Sequence, residues 1–153
     1  MPQNAILFSG DAEDNIRFGR DDATPEEVEH AAAVAQVESL SGANLSGGQR
    51  QRLSIARALI RDAEIYVFDD SFSALDFKTD AALRAALKNE IGDKTRIIVA
   101  QRIGTIMDAD KIVVLNEGEI VGTGTHKELL STCEVYGEIA KSQLSEEELA
   151  GER

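Results

Sequence analysis

Hydrophobic and polar positions along the chain fall into blocks whose period switches between helix and strand. From Thr24 to Glu38, Val28, Ala31, Ala32 and Ala35 recur at helical spacing on one face. The opening TPEE predicts a capping box, with Thr24 as cap, Glu27 reaching back and Pro25 at the first helical position. Gln49 to Arg61 repeats the helical pattern with Leu53, Ala56, Leu59 and Ile60. Glu64 to Phe68 then runs apolar without alternation, which predicts a strand buried on both faces. A further helix carries Leu83, Ala86, Leu87 and Ile91 on one face and stops at Gly92. A strand over Arg96 to Ala100 follows, then a short helix over Ile103 to Met107. Lys111 to Leu115 and Glu119 to Val121 flank NEGE, a hairpin turn, and Thr125 caps a short helix ending near Leu130. The tail SEEELAGER is acidic and poor in large apolar residues, which predicts a frayed end. Strand, helix, strand, helix is the order of an α/β fold with a largely parallel sheet.

Composition narrows the function classes. The 153 residues are 42% hydrophobic, enough for one real core. Their net charge of −12 argues against a nucleic-acid surface, which needs a basic field. Cys133 is the sole cysteine, so no internal disulfide can form, and its reading is that of a small buried or half-buried residue. No stretch reaches the apolar length of a membrane span, so a membrane role requires a partner chain.

Two places carry chemistry. IYVFDDSFSALD runs an apolar strand into Asp69 and Asp70, and open α/β sheets place their ligands at that end. Leu45-Ser46-Gly47-Gly48-Gln49 puts a serine and two glycines directly before a helix, where free amides and the helix dipole suit phosphate oxygens. Taken in order, LSGGQRQRLSIARAL, the strand ending in acids and SALD resemble the signature, Walker B and D-loop series of ATP-binding cassette (ABC) ATPases. QNAILFSG looks like the Q-loop region, with Gln3 as its glutamine. DADKIVVLNEGEIVGTGTHKELL is similar to the C-terminal part of exporter-type cassettes, those of multidrug, peptide and lipid exporters.

The resemblance implies a partial P-loop NTPase fold with a small helical subdomain. Residues 1–60 would hold the Q-loop and the helical signature subdomain, 61–145 the C-terminal part of the ATPase core, and 146–153 an acidic disordered tail. Asp69, with Gln3, would hold Mg²⁺, and Asp70 would polarise the attacking water. Ser46, Gly47, Gly48 and Gln49 would act on ATP held by a second cassette, across an interface shared by Ser73 and Asp76 of the D-loop. The implied partners are that second cassette and the transmembrane domains of an exporter, at the cytoplasmic side of a membrane. Mg²⁺ and ATP belong to the complete dimer.

Four departures from the family pattern qualify this picture. No GxxxxGK[ST] loop occurs: GDKT at 92–95 follows a helix and enters a strand, the reverse of the order a phosphate loop needs. The chain therefore reads as a C-terminal fragment, with Met1 standing for the apolar residue before Pro-Gln, and the isolated chain is expected to be inactive and to bind MgATP weakly or not at all. Asp70 stands where the family has Glu, and Gln101 where it has the switch His. Two such changes in one half-site resemble the degenerate site of heterodimeric exporters. Finally, AQVESL meets SGANLSGG with almost no connector, which suggests a deletion, natural or engineered. His30 and His126 read as surface residues, and Arg50, Arg52, Arg57 and Arg61 as either a solvated basic face or an electrostatic aid to nucleotide.

Three functions compete on this sequence. The first is a piece of a heterodimeric exporter's ATPase, supplying its signature in trans. The second, a soluble cassette of DNA repair or translation, is disfavoured by GTGTHKELL and by the lack of a basic patch. The third is a non-catalytic fragment serving dimerisation, regulation or folding.

Overall fold

Several helices begin on a side chain that closes its own first turn. In the computed structural model, which describes residues 6–37, 45–145, 147 and 149, reciprocal capping boxes start α1 (Ala12–Arg17), α2 (Pro25–Val34) and α3 (Gly47–Leu59). The pairs are Asp11 with Asp14, Thr24 with Glu27, and Ser46 with Gln49. Each satisfies two amides that the helix start would otherwise leave unbonded. The chain forms two units, Met1–Ala100 and Gln101–Arg153, each with its own apolar cluster. Gln3 and the short connector before the signature lie outside the described residues, as does most of the acidic tail.

In the first unit, β1 (Ile65–Asp69) pairs in parallel with β2 (Thr95–Val99), from Ile65 opposite Thr95 to Asp69 opposite Val99. The crossover between them is α4 (Phe77–Ile91), which stops at Gly92 with φ +59°. Together they make the βαβ unit that parallel strands require. Ile16, Val28, Leu53, Ile55, Phe68 and Leu83 fill the core beneath the strands. The expectation that β1 is buried on both faces fails. Tyr66 and Phe68 are buried, but Ile65 and Val67 are exposed, as are Ile97 and Val99 on β2. The helices of this unit cover one face of the pair, and the other stays apolar and open.

Helix α1 was not legible, because six residues are too few for a period to show. Its place is fixed from α3. Arg57 donates from Nε to the Asn15 carbonyl at 2.9 Å, from a terminal nitrogen to Asn15 Oδ1 at 2.7 Å, and from the other to the Ile6 carbonyl at 2.9 Å. Its guanidinium also lies 4.7 Å from the centre of the Phe8 ring, which stacks on Phe18. Arg57 therefore fits neither earlier reading of the signature-helix arginines: it is a packing clamp, and burial lowers its pKa without removing its charge.

In the second unit, α5 (Ile103–Ile106) precedes an antiparallel hairpin of β3 (Ile112–Asn116) and β4 (Glu119–Gly124). Glu117 and Gly118 at its tip both take positive φ, +50° and +84°, the twist that tight hairpins favour. Then come α6 (His126–Thr132), capped by Thr125, and α7 (Glu134–Gln143), which the sequence did not reveal. His126, expected at the surface, is 3% exposed. Its Nδ1 lies 2.7 Å from the Tyr136 hydroxyl, with the rings edge to face. An apolar environment also takes Cys133, as its sequence reading held. No helix among the described residues is long and apolar enough to cross a membrane.

Two outcomes follow from these contacts. Arg57→Ala removes three hydrogen bonds, leaving the Asn15 and Ile6 backbone carbonyls without that donor while Asn15 Oδ1 keeps the Phe8 amide. It should cost about 2–3 kcal/mol in chemical denaturation, with Arg57→Lys recovering less than half because an ammonium cannot fork. Burial pushes the Tyr136 phenol from 10.0 up to about 12. The folded state thus holds the proton more tightly than the unfolded chain, so stability is full below pH 10 and falls as pH rises towards about 12. Unfolding titrations should show that alkaline slope, and Tyr136→Phe should reduce it.

Candidate functional site

Chemistry gathers where the start of α3 meets the turn that leaves β1. The Ser46 amide donates to Gln49 Oε1 at 2.8 Å, and the Gln49 amide donates to Ser46 Oγ at 3.2 Å. The serine and glutamine of the glycine turn are thus a capping box, S-x-x-Q. Gln49 spends its side-chain carbonyl on the protein itself. Ser46 keeps a hydroxyl proton to donate, and Ser46 and Gly47 are exposed at the positive end of a 13-residue helix.

Gly48 presses that end onto the turn. A Cβ there would sit 3.2 Å from the Ala74 carbonyl oxygen and 3.3 Å from Leu75 Cδ2. At Gly47 the nearest atom, Ala74 Cβ, would be 3.7 Å away, an ordinary contact. Of the two glycines, Gly48 is the one fixed by close approach.

Asp69 ends β1, half-buried, and Asp70 follows it with φ +49°. Left-handed backbone is uncommon outside glycine, and Asp and Asn tolerate it best. Both sides of this residue are tied down. Its amide donates to the Val99 carbonyl of β2 at 2.9 Å, and its own carbonyl accepts from Ser73 Oγ at 3.0 Å and from Gln51 Nε2 at 3.3 Å. Gln51 also donates to Ser73 Oγ at 3.3 Å, while its Oε1 accepts the Ala74 amide at 3.1 Å. Sequence reasoning passed over Gln51. The signal was there: it shares a buried helix row with Ile55 and Leu59, at i, i+4 and i+8.

Asp76 caps α4, accepting from the Thr79 amide at 2.9 Å and the Thr79 hydroxyl at 2.7 Å. Those bonds, the amide first, hold its carboxyl below the usual range. The first unit therefore brings together Ser46, Gly47, Gly48, Gln49, Asp69, Asp70 and Ser73, with Asp76 at the next helix. Gln101 opens the second unit, where its carbonyl accepts from Gln143 Nε2 at 2.8 Å.

No group of three or more His, Cys, Asp or Glu side chains among the described residues could hold a metal alone. Asp69 fits a role in which it shares a hard cation with phosphate oxygens and water, the usual arrangement for Mg²⁺.

Comparison with known proteins gives the family. The family described as ABC transporter matches residues 2–73. An uncharacterized ABC transporter ATP-binding protein of Mycobacterium tuberculosis is 47% identical over 158 residues, covering 94% of this chain and 27% of that protein. An ATP-dependent lipid A-core flippase of Chromobacterium violaceum is 39% identical, covering 95% of this chain and 27% of the flippase. The structure of a bacterial Atm1-family ABC exporter with ATP bound superposes with a TM-score of 0.88 at 34% identity, covering 95% of this chain and 28% of the exporter. The chain thus spans little more than a quarter of these relatives' length, within an α/β P-loop NTPase fold. It belongs to the ABC transporter family, in which it corresponds to the C-terminal part of the ATP-binding cassette.

Proposed function

We propose that this chain is part of the nucleotide-binding domain of an ABC exporter, a machine that hydrolyses ATP to drive transport across a membrane. Its partners are the exporter's transmembrane domains and a second, non-identical cassette, which places it at the cytoplasmic side of the membrane. Its principal contribution is the Ser46–Gln49 turn, offered to MgATP held by that second cassette. The observation that carries this reading is the exposed, capped start of α3, whose amides and Ser46 hydroxyl stand ready for a phosphate while Gly48 holds the helix against the turn after Asp70. The open apolar face of Ile65, Val67, Ile97 and Val99 supports it too, as a surface for further cassette sequence to cover.

The cassette's own half-site is degenerate in this reading. Asp69 would hold Mg²⁺ through water, with Gln3 assisting. Asp70 would direct water from a side chain one methylene too short, and Gln101 would hydrogen-bond a γ-phosphate without supplying charge. Ser73 and Asp76 would face the partner across the dimer. MgATP would be held by the dimer and not by this chain alone, because Asp69 by itself offers a cation too few ligands.

Three measurements test the assignment. Calorimetric titration of the isolated chain should detect no micromolar binding of MgATP. In the complete transporter, Gly48→Asp sets a carboxylate where phosphate docks and should lower steady-state turnover on the order of a hundredfold. Gly48→Ala isolates the steric share of that loss, and Asp70→Ala should cost far less; the reverse ranking would overturn the degenerate-site assignment. With the partner site disabled, Asp70→Glu combined with Gln101→His should raise single-site hydrolysis. It should also slightly lower thermal stability, because Glu tolerates φ +49° less well than Asp; no gain in turnover would show that another step limits this half-site.

A further inference from the structure

The side chain of Gln51 is buried in the joint between the two functional segments, beyond the Ser46–Gln49 turn and before the strand that ends at Asp69. We propose that Gln51 is a positioning residue that fixes the Asp70 backbone and the turn after it against the start of the signature helix, so that the two segments move as one body. This rests on the reading of those segments given under the proposed function.

Each end of the Gln51 amide has a defined task. The Ala74 amide can only donate, so Oε1 must face it, at 3.1 Å. The Asp70 carbonyl can only accept, so Nε2 must face that, at 3.3 Å. One orientation of the side chain satisfies both, and Gln51 is 7% exposed, so water is a poor substitute.

The bonds matter because of what they hold. Asp70 sits at φ +49°, a conformation that persists only when its surroundings over-determine it. Its amide is fixed to β2 through the Val99 carbonyl. Its carbonyl is fixed by Ser73 from within the turn and by Gln51 from α3. Gln51 is the member of this set that comes from the signature helix. Without it, the turn can relax towards ordinary backbone, and the Asp70 side chain and the Gly48–Ala74 contact shift together.

The test uses the full-length transporter that carries this chain, with site-resolved hydrogen exchange and steady-state ATPase rates. In Gln51→Ala, the Ala74 amide should exchange about tenfold faster, while amides deeper in α3, at Ile55 and Ala56, should not change. The same variant should lower kcat on the order of tenfold or more with KM for ATP unchanged. Gln51→Glu supplies the control for chemistry. Its carboxylate still accepts from Ala74, keeping that amide protected, but opposes the Asp70 carbonyl until it is protonated. Turnover relative to wild type should therefore be low at neutral pH and recover as pH falls. A merely structural role would speed exchange throughout the first unit and would leave no such pH profile. Unchanged Ala74 exchange in Gln51→Ala, or a Glu variant equal to wild type at every pH, would overturn the proposal. If Asp70→Ala proves more damaging than Gly48→Asp, the degenerate-site reading fails while the exchange result still decides the role of Gln51.

Discussion

A side chain at position 48 would crowd the Ala74 carbonyl, with its Cβ only 3.2 Å from that oxygen, and much of the site follows from that close approach. Because Gly48 presents bare backbone, the first turn of α3 can lie directly on residues 74 and 75. That close approach puts Gln51, one turn along, within reach of Asp70, Ser73 and Ala74. The helix start that offers amides to a ligand and the strand end that offers carboxylates are thereby joined through a few buried bonds. Rigidity here would serve the proposed chemistry: donors aimed at a phosphate stabilise it most when they need not reorganise to do so.

The signature turn gains its order from an economy of side chains. Ser46 and Gln49 close the first turn of α3 on themselves, as Thr24 and Glu27 close α2. A Ser-Gly-Gly-Gln segment without that box would carry the backbone freedom of two adjacent glycines into the start of a helix. With it, the glycines supply close packing and unobstructed amides while their neighbours hold the geometry. The motif is thus a helix cap first, and its capacity to meet a phosphate is built on that cap.

How much of this could be read from the sequence depended on the range of the interaction. The Thr24 and Thr125 caps, the Gly92 stop, the NEGE turn and the order of strands and helices are local, and each was legible. The placement of Asp69 and Asp70 at a strand end was equally local. What failed involved partners far apart in the chain. Arg57 clamps Asn15 and Ile6 more than forty residues away, so its helical neighbourhood suggested only a basic face. His126 sits just after a cap, where exposure is the common outcome, and is buried by Tyr136 on a helix that Gly137 and scattered polar residues disguise. The run Ile65 to Phe68 has the composition of a doubly covered strand, but composition cannot say which residues do the covering. Gln51 was missed for a related reason, since a glutamine beside a known motif reads as polar surface until its row of buried neighbours is traced.

The backbone at Asp70 gives the Asp-for-Glu change a second meaning. Left-handed φ favours Asp over Glu, so the shorter acid relaxes the turn that Gln51 and Ser73 otherwise hold in place. A Glu at this position would reach further towards a water molecule but would lean harder on those bonds. Reach and backbone ease therefore pull in opposite directions at one residue. Under the proposed function, a half-site that need not turn over rapidly would settle the contest in favour of the backbone, keeping the turn, and with it the signature helix, in place for a partner's nucleotide.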